Sequence, residues 1–292
     1  MKLCRFNNNR LGVVDAEAGV VADVTGALER VRVGRAYPLP RHDALIASLP
    51  GVRSAIKGLL GSARRLKLSG VKLLPPVANP SKIIGAPINY QDHVAETAVD
   101  QAIAHGRDMA SATIGRWGMF LKATSALVGA SEGVVLRTPH TDIENRNDHE
   151  LELVAVIGKR GTRISRHDAL SYVAGYSIGL DMTLRGPQFP GFRKSIDTYA
   201  VLGPWMVTAD EFGDPGKIDM HLTVNGELRQ KANTAFMVFD LPRLIEFTSA
   251  YYTLEPGDLI YTGTPAGVGP VQPGDTIEAH VERIGSMKVS VR

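Results

Sequence analysis

Apolar residues along the chain fall mostly in short runs broken by Gly, Pro, Asn and Asp, which is the punctuation of strands and turns rather than of long helices. Near the start, residues 11–14 and 19–24 read as short β segments. Leu45, Ile46, Leu49, Val52, Ile56 and Leu59 then recur close to helical spacing, with Pro50-Gly51 expected to interrupt the helix. Three prolines within residues 74–80 stop regular structure and mark a linker. Beyond it the texture changes. Lys82-Ile83-Ile84-Gly85 is a short apolar strand, and residues 91–112 carry few strand signals and read as helical or mobile. From Phe120 onward strand patterns recur at 134–136, 151–157, 205–208, 220–224, 259–262, 276–281 and 287–291. Helical pattern is confined to 167–173 and 241–250, the second opening with Asp240 as N-cap and Pro242 in its first turn. Many strands and few helices predict an α+β protein with a twisted, β-rich core. The expected division is a small N-terminal α+β domain over residues 1–76 and a larger domain over 77–292.

Composition removes several classes of function. The 30 Gly and 17 Pro among 292 residues imply many turns and weigh against a helical bundle. Lys plus Arg is 33 and Asp plus Glu is 30, a net charge of +3 with no basic block, so nucleic acid is not an expected partner. The single cysteine, Cys4, rules out an internal disulfide and a cysteine-built zinc site, and fits a reducing compartment. No apolar run reaches about 18 residues, so no transmembrane helix and no membrane partner are expected. Asn7-Asn8-Asn9 fall where a signal peptide needs its apolar core, which leaves the cytoplasm as the expected location.

Candidate chemistry concentrates in Asp148-His149-Glu150-Leu151-Glu152-Leu153-Val154-Ala155-Val156-Ile157-Gly158. As a strand, this run sends Glu150 and Glu152 to one face and Leu151, Leu153, Ala155 and Ile157 to the other. Two carboxylates leading into a buried run cost several kcal/mol each unless compensated. A hard divalent cation compensates them, and oxygen-only ligation favours Mg²⁺, Mn²⁺ or Ca²⁺ over zinc. The competing interpretation is a solvated strand start paired with Arg146 or Lys159. Asp181 ends the apolar segment Gly175-Tyr176-Ser177-Ile178-Gly179-Leu180 and can complete a three-carboxylate site, or simply cap a turn. His93 and Glu96, three residues apart, share a helical face, which is the arrangement of an imidazole base oriented by a carboxylate or of an ordinary surface pair. Lys122 and Lys194 are candidates for binding an anion or stabilising a developing enolate, against the plain alternative of surface lysines. Residues 262–269, Thr-Gly-Thr-Pro-Ala-Gly-Val-Gly, offer backbone N–H groups and hydroxyls after a strand but do not match a phosphate loop. Gly129-Ala130-Ser131-Glu132-Gly133 has the spacing of a serine-hydrolase elbow, yet strand pattern rather than helix follows it, so Ser131 is not read as a nucleophile.

In order along the chain, these strings resemble the fumarylacetoacetate hydrolase family over nearly the whole length. The start, Met1-Lys2-Leu3 through Gly12-Val13-Val14 to Val21-Ala22-Asp23-Val24-Thr25, is similar to that family's small N-terminal domain. Further on, the resemblance rests on Asn89-Tyr90 with His93 and Glu96, Phe120-Leu121-Lys122 and His149-Glu150-Leu151-Glu152-Leu153. It continues in Lys194-Ser195-Ile196-Asp197-Thr198 with Leu202-Gly203-Pro204-Trp205, and in Leu254-Glu255-Pro256-Gly257-Asp258 with Thr262-Gly263-Thr264-Pro265. It implies a mixed β-sandwich roll forming a homodimer, with Mg²⁺ or Mn²⁺ held by Glu150, Glu152 and Asp181. It further implies His93 and Glu96 as the water-activating pair on a lid and Lys194 as the stabiliser of an oxyanion or enolate. Lys122, Arg185, Gln188 and Thr264 take substrate-binding positions. The implied activity is metal-dependent hydrolysis of a C–C bond in an acylpyruvate-type β-diketo acid, a small-molecule 2-oxo acid of aromatic or sugar-acid breakdown. Decarboxylation, hydration or keto–enol isomerisation of a related 2-oxo acid is the alternative within the same family. The chain departs from the family pattern at Ala86-Pro87-Ile88, at Gly186 after Arg185, in the short run from Asp181 to Lys194 and in the long interval from Glu96 to Phe120, all of which bear on substrate identity.

Overall fold

A computed structural model describes residues 1–34, 37–100, 114–137 and 146–292. Its largest element is a twelve-stranded mixed sheet. Lys2–Phe6, Arg10–Asp15 and Val20–Asp23 form an antiparallel meander, with Asn7 and Asn9 taking the left-handed backbone that short polar residues tolerate in the first turn. Lys2–Phe6 then pairs with Ala200–Thr208, which pairs with Val173–Asp181, and that strand with Leu151–Ile157. Leu259–Tyr261 and the parallel strand Ile83–Gly85 follow, and then Phe120–Lys122. The sheet curls: the chain leaving Phe120–Lys122 returns as Leu127–Val128 to pair in parallel with Ala200–Thr208. A four-stranded sheet, in the order Glu227–Asn233, Asp219–Val224, Thr276–Val281, Gly285–Ser290, packs against it. The α+β, β-rich roll expected from the sequence is the architecture observed.

Leu151–Ile157 is buried at all seven positions, so both faces are covered. Leu151, Leu153, Ala155 and Ile157 join a core with Met220, Leu222, Ile277 and Val289 of the smaller sheet. Val154 and Val156 join a second core with Leu49, Val52 and Ile56 of the helix Leu49–Leu59. Each large aliphatic side chain removed from water on either face contributes roughly 1.5–3 kcal/mol. This two-sided support gives the acidic residues at the strand's start a rigid mount.

Several elements differ from the sequence expectation for identifiable reasons. Pro50 does not interrupt a helix; it lies in the first turn of Leu49–Leu59, where its missing N–H costs nothing, after a separate turn Ala44–Ala47 capped by Asp43. The 167–173 helix is only a 3₁₀ turn, Ala169–Tyr172, because Val173 already begins the long strand to Asp181. Glu227–Asn233 escapes a hydrophobicity reading because Gln230 is its only fully buried side chain. Residues 134–136 contribute a single bridge, Val134 to Val291. Within 91–112, Gln91–Val99 is helical and residues 101–112 lie outside the described residues. The helix Leu241–Tyr251 begins as expected, with the Asp240 carboxylate accepting from Arg243 N at 2.9 Å.

Two buried aspartates fasten the region around the site. Asp43 accepts from Ile46 N, Ala78 N and Asn79 N, all at 3.0 Å. Asp258 accepts from the Ser81 hydroxyl at 2.7 Å and from Lys82 N at 2.9 Å, and pairs with Lys82 Nζ at 2.7 Å, which locks Ile83–Gly85 beside Leu259–Tyr261. Cys4 is 1% exposed, and burial pushes its thiol up to about 12. Since the thiolate is the reacting form, Ellman's reagent at pH 8 is expected to leave the folded protein unmodified and to label one thiol per chain in guanidinium. Rapid stoichiometric labelling of folded protein would contradict this burial.

Candidate metal centre and active site

Strand pairing brings the three acids together. Asp181 N donates to Glu150 O at 2.9 Å, so these residues face each other at the ends of two antiparallel strands. One register step further, Leu151 lies opposite Leu180, and Glu152 lies opposite Gly179. Side-chain alternation returns Glu152 to the face of Glu150. Gly179 keeps that face clear, since a Cβ there would meet Val154 at 2.4 Å and Tyr261 at 2.6 Å. Glu150, Glu152 and Asp181 are 5%, 1% and 0% exposed, and each offers a carboxylate oxygen within 4.8 Å of the others.

Basic side chains surround this cluster. Lys194 Nζ donates to Glu150 Oε2 and Asp181 Oδ2 at 2.7 Å each and to Thr183 Oγ1 at 2.6 Å. Arg185 donates from Nε to Asp148 at 2.7 Å and from Nη2 to Glu150 Oε1 at 2.9 Å. Lys122 Nζ bonds Asp181 Oδ1 and donates to Tyr199 O at 3.0 Å. Burial acts to raise the Glu150 carboxyl, but Lys194 and Arg185 outweigh it and hold that group well below the usual range. Glu152 moves the other way: burial, then the neighbouring Asp181 and Glu150 charges, push it well up, opposed by Gly263 N donating to Oε2 at 2.6 Å. Burial lowers Lys122 despite its ion pair, whereas Asp181 and Glu150 overcome the burial of Lys194 and raise it. Three carboxylates gathered in a buried, all-oxygen donor set, where burial and mutual repulsion disfavour their charge, are what a hard divalent cation relieves, so these residues fit Mg²⁺ or Mn²⁺.

His93 stands on the helix Gln91–Val99, whose start is fixed by Asn89. The Asn89 amide donates to Phe239 O at 2.8 Å and Thr262 O at 2.7 Å and accepts from Phe239 N at 2.8 Å. His93 Nδ1 lies 2.6 Å from Glu96 Oε2, and the other Glu96 oxygen accepts from Gly267 N at 2.9 Å. Glu96 is an acceptor, so in the neutral imidazole Nδ1 carries the hydrogen and Nε2 the lone pair. Gly267 has a positive φ of 92°, and a Cβ would stand 2.0 Å from Arg229 O, so this close loop-to-strand contact needs glycine.

His93, Glu150, Arg185, Lys194 and Thr264 line one cavity. Glu152, Asp181, Lys122 and Glu96 support that wall without lining it. Gln188 does not line it either, and its buried Oε1 has no partner among the described residues. Trp117, Phe120 and Arg193 of the lining, and the Asp148 partner of Arg185, carry no site role in the sequence patterns above. Phe120 sits 5.2 Å below the Lys194 ammonium. Ser131 is in a turn and accepts from Leu73 N at 2.9 Å, with no elbow geometry around it.

Residues 82–292 match the family described as fumarylacetoacetate (FAA) hydrolase C-terminal. The chain belongs to the fumarylacetoacetate hydrolase family. Over 292 residues it is 52% identical to a maleylpyruvate hydrolase of Aquipseudomonas alcaligenes, covering 100% of this chain and 99% of that one. It is 35% identical to a 2,4-didehydro-3-deoxy-L-rhamnonate hydrolase of Sphingomonas sp. strain SKA58, covering 100% and 96%. A crystal structure of maleylpyruvate hydrolase from Sphingobium sp. SYK-6 in complex with manganese(II) and pyruvate superposes with a TM-score of 0.81 at 40% identity, covering 100% of this chain and 98% of that one. Among the described residues, no helix is long and apolar enough to cross a membrane.

Proposed function

We propose that this fumarylacetoacetate hydrolase family member is an acylpyruvate hydrolase with maleylpyruvate as its leading substrate. Glu150, Glu152 and Asp181 are its ligands for Mn²⁺ or Mg²⁺. The observation that carries the reading is the His93–Glu96 pair, with His93 lining the same cavity as Glu150 and Lys194. The similarity to two maleylpyruvate hydrolases, one bound to manganese and pyruvate, supports the substrate class.

The divalent ion supplies positive charge that polarises a 2-oxo acid and favours its enolate. The chain's own residues do the rest. His93 Nε2 takes a proton from water, which adds to the substrate carbonyl remote from the 2-oxo acid end. Glu96 keeps the imidazole in the required tautomer and stabilises the imidazolium. The C–C bond then breaks, releasing a carboxylic acid and the enolate of pyruvate, whose carbon is protonated to give pyruvate. Lys194 places its ammonium where that negative charge develops, and Arg185 and Thr264 orient the carboxylate end. Lys122, whose side chain is fully buried, acts by neutralising Asp181. Gln188 supports the cavity from behind its wall, its backbone carbonyl accepting from Arg193 Nε at 2.8 Å.

The reading extends to a cytoplasmic homodimer, with exposed Leu121, Phe189 and Phe192 offering an apolar surface for the partner. Mn²⁺-loaded protein incubated with a panel of acylpyruvates is expected to release pyruvate, followed with lactate dehydrogenase, and chelation should stop it. No pyruvate from any member of the panel, maleylpyruvate included, would sink the proposal. Deuterium exchange seen by NMR without cleavage would point to an isomerase instead.

A further inference from the structure

Gln230 lies on the smaller sheet, outside the strings that mark the family, yet it is fully buried. Its amide makes contacts in two opposite senses. Oε1 accepts from Leu151 N at 2.9 Å and lies 3.2 Å from His149 Nδ1. Nε2 donates to Thr264 Oγ1 at 2.8 Å and to Pro265 O at 2.9 Å. The orientation is fixed chemically: a backbone N–H demands the oxygen on one side and a backbone C=O demands the nitrogen on the other. A flipped amide would face like with like at both ends.

This has a consequence for Thr264. Its oxygen is committed as an acceptor to Gln230, and no acceptor among the described residues takes its own proton. Thr264 is 3% exposed and lines the cavity with Glu150, Arg185 and Lys194. We infer that Gln230 is a positioning residue that, by donating to the Thr264 oxygen, turns the hydroxyl proton toward an anionic ligand oxygen, so the pair favours a carboxylate. The inference rests on the cavity being the binding site for a 2-oxo acid, as proposed above.

A contact made equally in the ground state and the transition state changes KM rather than kcat. Gln230→Met keeps the side chain's length but removes both senses of hydrogen bond. With Mn²⁺-loaded protein, it should weaken oxalate and pyruvate binding about tenfold in calorimetry, the scale of one hydrogen bond to a charged group. KM for the acylpyruvate should rise by a similar factor, with kcat and Mn²⁺ affinity held. Thr264→Val should show the same loss, and the double variant should be no worse than Thr264→Val alone. Additive losses, or a Gln230→Met variant that loses Mn²⁺ while binding oxalate normally, would overturn the inference and leave Gln230 as a strand fastener. If Gln230→Met fails to fold, Gln230→Glu puts the same question, because its carboxylate still accepts from Leu151 N but draws the Thr264 proton to itself. Oxalate binding at the unaltered level in that variant would also overturn the inference. Wild-type protein that binds oxalate but turns over no acylpyruvate would refute only the hydrolase reading; wild-type protein that binds no oxalate would refute both.

Discussion

Glu150→Ala is expected to abolish Mn²⁺ binding, lowering affinity by more than about a hundredfold, the upper range for losing an outer-shell partner. Glu150 is the acid where the local charges meet, joined to both Lys194 and Arg185. Removing it takes one ligand away and leaves two buried cations short of a counter-charge, so the remaining site repels a metal ion. Breaking such a buried pair from one side also costs about 3–5 kcal/mol of stability. Glu150→Gln therefore belongs in the same experiment, since its amide oxygen still accepts from one of the two bases. Calorimetric titration with Mn²⁺, alongside thermal melts with and without the ion, separates lost ligation from lost folding. A folded Glu150→Ala variant that still binds Mn²⁺ as the native protein does would show that the acids are not a metal site.

His93→Ala is expected to fold, keep its Mn²⁺ affinity and lose about 10²–10⁴ in kcat, the range for removing a positioned general base. The argument is geometric: the imidazole is held by Glu96, Glu96 by Gly267 N, and no hydrogen bond joins His93 to the three acids. Glu96→Gln should do less damage than His93→Ala, because its amide oxygen can still accept from Nδ1, although its NH2 then faces the Gly267 N–H and the negative charge that stabilises the imidazolium is gone. Stopped-flow release of pyruvate from metal-saturated enzyme measures both. Full turnover by His93→Ala would remove the water-activation role, and loss of metal binding would place His93 inside the metal site instead.

The sequence made the acidic cluster legible for a local reason: Glu150 and Glu152 announce themselves as charges leading into an apolar strand. The pairing that completes the cluster was less visible. Asp181 joins only because Val173–Asp181 runs antiparallel to Leu151–Ile157 in one particular register, which no local pattern encodes. His93 and Glu96 were readable from spacing, but not their attachment to Gly267, a contact over 171 positions. Lys122 was expected among the substrate-binding positions, and the curled sheet buries it behind Asp181. Gln230 gave no signal, because a buried glutamine in a polar edge strand reads as surface. Hydrophobic patterning found most of the core strands and the helix Leu241–Tyr251. It failed where polar residues pair into sheets and at Pro50, which begins a helix rather than interrupting one.

One loop, residues 262–269, reaches an acid of the trio through Gly263, the imidazole's carboxylate through Gly267 and the ligand cavity through Thr264. An inserted or deleted residue there would disturb all three at once, so lineages of this fold have little freedom to lengthen or shorten it. A second wall of the lining, formed by Trp117, Phe120 and the stretch around Pro190, comes from other elements of the chain. Descendants that acquire new substrates should therefore record their history in that second wall, while the loop stays constant in length.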